Sequence, residues 1–172
     1  SITTTGNQSY GEAVTLGANT TLAAGSGDVS LGSTVNGAYA LTVNSTGTTT
    51  FGGAIGAGTA LTSVTTNAGG TLVMNGGSIT TTGAQSYGEA ITLGADTTLS
   101  TGSADVTLSS TLNGAYALTV NSTGTTTFGG AIGGGTALTS VTTNTGGTLV
   151  MNGGSITTTG NQSYGEAVTL GA

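Results

Sequence analysis

The sequence predicts an all-β fold in which short strands stack as the coils of a parallel β-solenoid. Three observations lead there. A 77-residue block is repeated in tandem and followed by a partial third copy. Inside each block runs a shorter period, a quarter of the block in length. The composition suits strands and tight corners and little else: 41 of 172 residues are Thr and 34 are Gly, with no Pro.

The long repeat is nearly exact. Residues 78–154 match residues 1–77 at 66 of 77 positions, and residues 155–172 match residues 1–18 at all 18. Most changes are mild, such as Val14 to Ile91 and Val35 to Leu112; only Asn19 to Asp96 alters charge. An 18-residue fragment of a globular domain could not bury a core. A stacked coil can stop after any complete turn. The fragment therefore points to one continuous solenoid over residues 1–172, with sequence repeats 1–77, 78–154 and a partial 155–172.

Each block divides into four segments of nearly equal length, 1–19, 20–38, 39–58 and 59–77. An aliphatic residue opens each one: Ile2, Leu22, Leu41, Leu61, then Ile79. A bulky residue followed by Gly marks the middle, as in Tyr10-Gly11, Leu31-Gly32 and Phe51-Gly52. An apolar residue and a small turn close it: Leu16-Gly17, Val35-Asn36-Gly37, Ile55-Gly56, Met74-Asn75-Gly76. Thr, Val and Ile favour strands because their branched carbons fit a pleated surface. Leu41-Thr42-Val43 alternates inward apolar with outward polar. Gly and Asn lie between runs, where a corner needs positive φ. This register gives about 19 residues per coil, four coils per repeat and about nine coils in all, a period typical of solenoids. Nine strands about 4.8 Å apart would span roughly 43 Å. The 40 bulky apolar residues then supply four or five per coil, enough for a narrow core. The residues after each opening aliphatic, from Thr3, Ala23 and Thr42 to Thr157, would stack into a mostly hydroxylated outer column.

The rival fold uses the Asn-Gly pairs at 36–37, 75–76, 113–114 and 152–153. Asn-Gly is the strongest short hairpin signal, so these could build antiparallel sandwiches, one per long repeat. That reading leaves the short register and the partial copy unexplained. A membrane β-barrel fits less well, since five Tyr and two Phe cannot form two aromatic girdles.

Composition also bounds chemistry. The chain has no Lys, Arg, His, Cys or Trp. The usual zinc and copper ligands are missing. Nothing can neutralise phosphates, so neither nucleic acid nor an anionic membrane is an expected partner. The net charge of −6 comes from Glu12, Asp28, Glu89, Asp96, Asp105 and Glu166. No apolar run approaches the roughly 18 residues of a membrane helix. No signal peptide is visible, and the start at Ser1 without Met suggests a mature product or an excerpt.

The runs GGSITTTGAQSYGEAITLGADTTL (76–99) and NGAYALTVNSTGTTTFGGAIGGGTALTSVTTNTGGT (113–148) resemble repeats of filamentous-haemagglutinin-like exoproteins, giant bacterial surface proteins often exported by two-partner secretion. The resemblance covers the whole chain. It implies a right-handed parallel β-helix, export across the outer membrane, and a role as adhesin or extracellular fibre. The amino-terminal secretion domain of that family is not evident, and no catalytic or ligand residue carries over.

Each candidate site has a plainer reading. Glu12, Glu89 and Glu166 share one repeat position within YGEA. A catalytic carboxylate pair needs about 5–9.5 Å, whereas four coils put successive copies roughly 19 Å apart. Solvated corner residues are expected instead. Asp28, Asp96 and Asp105 lack the converging oxygen ligands of a calcium site and suit turns and solubility. FGGAIGGG (128–135) has Gly-rich character but neither the Lys nor the following helix of a phosphate loop. Tyr10, Tyr87 and Tyr164 share the mid-coil position of Phe51 and should fill core; Tyr39 and Tyr116 open coils and could stack on sugars. Met74 and Met151 read as gap-filling core.

The resulting expectation is a structural segment with no enzyme activity, no catalytic, cofactor-binding or metal-binding residues and no cofactor. It is expected outside the cell or on the bacterial surface. Expected partners are further coils of the same chain or copies of itself, because open strand edges template association. The alternative is a surface-binding module, in which Thr columns engage glycans or ice.

Overall fold

The computed structural model describes residues 1–171. It is all-β, without helix among the described residues, and its strands are two to six residues long. Every pairing between these strands is parallel. Parallel neighbours need a connection that returns the chain to the same end. Here that connection is the rest of a coil, so the fold is a β-solenoid of about eight turns. The Asn-Gly pairs are corners and not hairpins. At Asn36-Gly37 the glycine takes φ +126°, and the Asn36 Oδ1 accepts the amides of Gly58 and Thr59 in the next coil at 2.8 and 3.0 Å.

The coil has three faces. The first is a nine-stranded sheet whose strands are Ile2–Thr3, Thr20–Gly25, Ala40–Ser45, Ser63–Thr66, Gln85–Tyr87, Val106–Leu108, Thr125–Phe128, Thr148–Met151 and Ala167–Leu170. The second begins at Gln8–Tyr10, Val29–Leu31 and Thr48–Phe51, and continues through Thr71–Met74, Ala90–Leu93 and Leu112–Asn113. Bridges extend it to Ile132 and Ile156. The third runs from Val14–Thr15 and Val35–Asn36, across Ile55, to Ser78–Thr80, Thr97–Gly102, Ala117–Ser122, Ser140–Thr143 and Gln162–Tyr164.

The register corrects the expected coil. On the first face the partners run Ile2, Leu22, Val43, Thr66, Tyr87, Leu108, Phe128, Met151, Leu170. Eight steps thus lead from position 2 to position 170, an average of 21 per turn instead of 19. Single steps vary from 19 to 24 because the corners differ in length. The repeat does not hold four whole coils either. Gln8–Tyr10 is on the second face, its copy Gln85–Tyr87 on the first, and the third copy Gln162–Tyr164 on the third. Each 77-residue block therefore winds over eleven faces, or three and two-thirds turns. An average face uses a third of a turn's chain, and the three faces are similar enough inside for the same sequence to occupy any of them. The aliphatic residues that look equivalent along the sequence do not all stack: Leu22 pairs with Val43, while Leu41 pairs with Thr20 and Val64.

The core is a narrow lumen filled by inward columns. One is Leu22, Val43, Thr66, Tyr87, Leu108 and Phe128; another is Leu31, Phe51, Met74 and Leu93. Most of these side chains are completely buried. Corners pack backbone on backbone, so a Cβ on Gly76 would collide with the Gly53 carbonyl. The expected hydroxyl column divides. Thr3, Ala23 and Thr42 lie on the first face, but Thr80, Ser100 and Thr119 lie on the third. A different column forms on the first face: Thr21, Thr42, Thr65, Ser86, Thr107, Thr127, Val150 and Thr169.

Candidate functional site

The acidic residues sit at corners, but they divide into two kinds. Asp28, Asp96 and Asp105 are exposed. Each accepts a backbone amide from the next coil: Thr48 N at 2.7 Å, Ala117 N at 2.9 Å and Thr125 N at 2.7 Å. Asn residues act the same way. Asn7 Oδ1 takes the Asp28 amide at 2.9 Å, and Asn19 Oδ1 takes the Ala40 amide at 3.0 Å. A corner amide turned away from the ladder needs such an acceptor. No group of three or more His, Cys, Asp or Glu side chains gathers among the described residues.

The glutamates depart from expectation. Glu12 is exposed, but Glu89 is 1% and Glu166 8% exposed. The Tyr-Gly corner that precedes Glu89 turns its side chain inward, over two threonines from the coils beneath. Thr49 Oγ1 donates to Glu89 Oε1 across a long 3.4 Å, and the Thr66 hydroxyl faces the same carboxyl. Glu89 Oε2 and Thr66 Oγ1 are nonetheless left without a hydrogen-bond partner. Burial pushes the Glu89 carboxyl up to about 7, against the smaller opposing pull of the Thr66 and Thr49 hydroxyls. The arrangement recurs one repeat later. Thr126 Oγ1 donates to Glu166 Oε1 at 3.4 Å, Glu166 Oε2 and Thr143 Oγ1 are unpartnered, and burial again raises the carboxyl. Glu12 lies in the first described turn, with no described coil beneath it. The three glutamates occupy three different edges of the prism, so they form no catalytic pair.

A second polar cluster lies wholly inside. Gln85 is completely buried. Its Nε2 donates to Ile79 O at 3.1 Å, Thr81 Oγ1 at 3.2 Å and Ser100 O at 3.1 Å. Its Oε1 accepts the Tyr87 hydroxyl at 3.0 Å. Gln8 and Tyr10 repeat the pattern near one end, Gln162 and Tyr164 near the other. The sequence offered a signal for this in Gln-Ser-Tyr, present in all three copies. Composition reasoning attended to the tyrosines and missed the glutamines, because Gln is seldom a core residue.

The remaining candidates are dispersed. Tyr39 and Tyr116 are 39% and 38% exposed, at corners between different pairs of faces. They make no common platform. Residues 128–135 form a corner in which Ile132 bridges Leu112 and Ile156. Met74 is buried, and Met151 is half-buried against the core. A cavity of about 290 Å³ lined by Phe128, Met151, Ile156 and Leu170 opens over the last described turn, and one of about 50 Å³ lies under the first. Both are ends of the lumen, not clefts on a flank. No family model matches this chain, and no curated protein or solved structure is similar to it.

Proposed function

We propose that this chain is a shaft segment of a bacterial extracellular or cell-surface fibre, adhesin-like and of the filamentous-haemagglutinin type, wound right-handed. Parallel crossovers are right-handed in about 98% of cases, which supports the hand. The observation that carries the reading is continuity across the repeat boundaries. Thr71–Met74 pairs with Ala90–Leu93 across the first boundary, and Thr148–Met151 pairs with Ala167–Leu170 across the second. Both joins have the same four-residue register as pairings within a repeat, such as Thr125–Phe128 with Thr148–Met151. Adding repeats then adds length without a new interface. Stacked edge strands favour further coils, or further copies, as partners. A chain without Lys or Arg offers no trypsin-type cleavage site, which suits life outside a cell.

Length is the quantity to measure. Chains with one, two and four extra repeats should form rods that grow by about 18 Å per repeat, from three and two-thirds turns at about 4.8 Å. Electron microscopy of the series would show it. Particles of constant length, or beads joined by linkers, would refute the shaft. Incubation with uronate polysaccharides should release no product.

The outward column from Thr21 to Thr169 favours one second reading, a surface-binding module for ice or glycans. The column is interrupted at Val150, and each 77-residue repeat turns its surface to another face. Thermal hysteresis in a droplet, or hits on a glycan array, would support this reading over a plain spacer.

A further inference from the structure

Four buried side-chain atoms lack a hydrogen-bond partner among the described residues: Glu89 Oε2, Thr66 Oγ1, Glu166 Oε2 and Thr143 Oγ1. They are two copies of one arrangement. Thr66 lies one coil beneath Glu89, and Thr143 lies one coil beneath Glu166 at the same spacing along the chain. A third residue, Thr49 or Thr126, already donates to the other carboxyl oxygen.

An ionised carboxylate is expensive in such a place unless a cation pairs with it. The chain has no Lys, Arg or His to serve. The surrounding strands bring only neutral groups to Glu89. Thr48–Phe51 and Ser63–Thr66 contribute hydroxyls, Ala90–Leu93 no titratable group, and Gln85–Tyr87 the Tyr87 hydroxyl, which is committed to Gln85. The other acid on this edge, Asp28, is exposed and holds the Thr48 amide. Around Glu166 the counterparts are Thr126, Thr143, Tyr164, bonded to Gln162, and the exposed Asp105, bonded to the Thr125 amide. One proton on Oε2 changes the account. It removes the buried charge, so that no cation is needed, and leaves a neutral carboxyl in place of an unpaired carboxylate.

We propose that Glu89 and Glu166 are held as uncharged carboxylic acids inside the solenoid, over the threonines of the coils beneath, so that the rod is tightest in acid and loosens as these carboxyls ionise. The raised carboxyl of Glu89 agrees with this and fixes the window. The folded value is about 7 and the ordinary one 4.5. Between them the folded chain holds a proton that the unfolded chain has lost, so stability falls as pH rises. The contribution is complete below the ordinary value and gone above the folded one.

The test is thermal unfolding of the full chain between about pH 4 and 9, with infrared spectra of the native state. The midpoint should fall by several degrees across the window and then level off. The native chain at about pH 6 should show the carbonyl band of a protonated carboxylic acid, at a pH where an ordinary solvated carboxyl is ionised. The double variant Glu89→Gln with Glu166→Gln should lose most of the pH step and match or exceed the parent midpoint at about pH 8. Glu12→Gln should keep the step. A step unchanged in the double variant, or no protonated band in the native chain, overturns the proposal. The band decides the matter even where the double variant does not fold. A midpoint raised by calcium at high pH, with no protonated band, would also overturn it and assign the carboxylates to a cation.

Discussion

The hydroxyl of Tyr87 donates to Gln85 Oε1 at 3.0 Å inside a core where both side chains are completely buried. The same glutamine ties its own coil to the next one through Ser100 O at 3.1 Å. One side chain thus fixes the spacing of two coils, the turn at residues 79–81 and the orientation of an aromatic ring. Its amide nitrogen and its carbonyl oxygen are both engaged, which is what allows an amide to sit among Leu and Val.

Removing that amide should cost more than removing the phenol. Gln85→Leu leaves the Tyr87 hydroxyl buried without an acceptor, at about 1–3 kcal/mol if it finds no water, and removes the side-chain donor from Ile79 O and from Ser100 O, which keeps the Thr81 amide at 2.9 Å. A total loss of about 3 kcal/mol is expected. Tyr87→Phe removes one bond and should cost about 1 kcal/mol. Urea unfolding of both variants measures the difference. Equal losses would mean that Gln85 only fills space.

A natural comparison predicts a stabilising change. Asn7 Oδ1 accepts the amide of Asp28 at the adjacent corner. The equivalent residue in the second repeat is Ala84, so the Asp105 amide has no such acceptor from that position. Ala84→Asn should restore the bond. A gain of about 0.5–1.5 kcal/mol follows from the usual net value of one hydrogen bond. The midpoint of denaturant unfolding should rise without a change in slope.

The sequence made the stack legible because its signals are local. Thr-rich runs, inward Leu and Val, and Gly or Asn at corners mark strands and turns one at a time. The partial copy at 155–172 spoke against closed domains. The coil length was not legible, since it depends on which corners hold extra residues. Gly56 to Thr62 is a long corner, while the Tyr87-Gly88-Glu89 corner is short. A division into four equal coils assumed that the repeat returns to its starting face. Identical sequence on different faces satisfies the same packing rule, so nothing local betrays the rotation. The buried glutamates were hidden for a related reason. Glu89 owes its burial to Thr49 and Thr66, which belong to earlier coils and are far from it along the chain.

Two glycines separate crowding from ordinary turn preference. Gly134 stands where the first repeat has Ala57, and a Cβ there would meet Ala131 Cβ at an ordinary 3.6 Å. Gly153 stacks on the Gly130 backbone, where an added Cβ has no room. Gly134→Ala should be neutral or stabilising by about 0.4–1 kcal/mol through the unfolded chain. Gly153→Ala forces two coils apart and should cost more than about 2 kcal/mol. Thermal melts of both variants check the pair. A harmless Gly153→Ala would show that the corners are looser than this packing requires.

The coil length can be tested by cross-linking. Thr42 and Thr65 are register partners on the outer side of the first face. Neighbouring strands are about 4.8 Å apart, within the usual Cα span of a disulfide. The chain has no cysteine of its own, so a Thr42→Cys, Thr65→Cys variant contains a single pair. It should oxidise readily and melt higher when oxidised than when reduced, because the bond closes a loop the length of a whole coil. The control is Thr42→Cys with Thr62→Cys, which joins positions that a shorter coil would stack. In the observed register Thr62 lies before the strand Ser63–Thr66, and its amide bonds to Tyr39 O at 3.0 Å. Its side chain is therefore offset from Thr42 by three positions along the face. The control pair should stay reduced under the same mild oxidant. Efficient closure of the control and not of the first pair would restore the shorter coil. It would also return the three glutamates to a single edge, and with that remove the three-way rotation of the repeat.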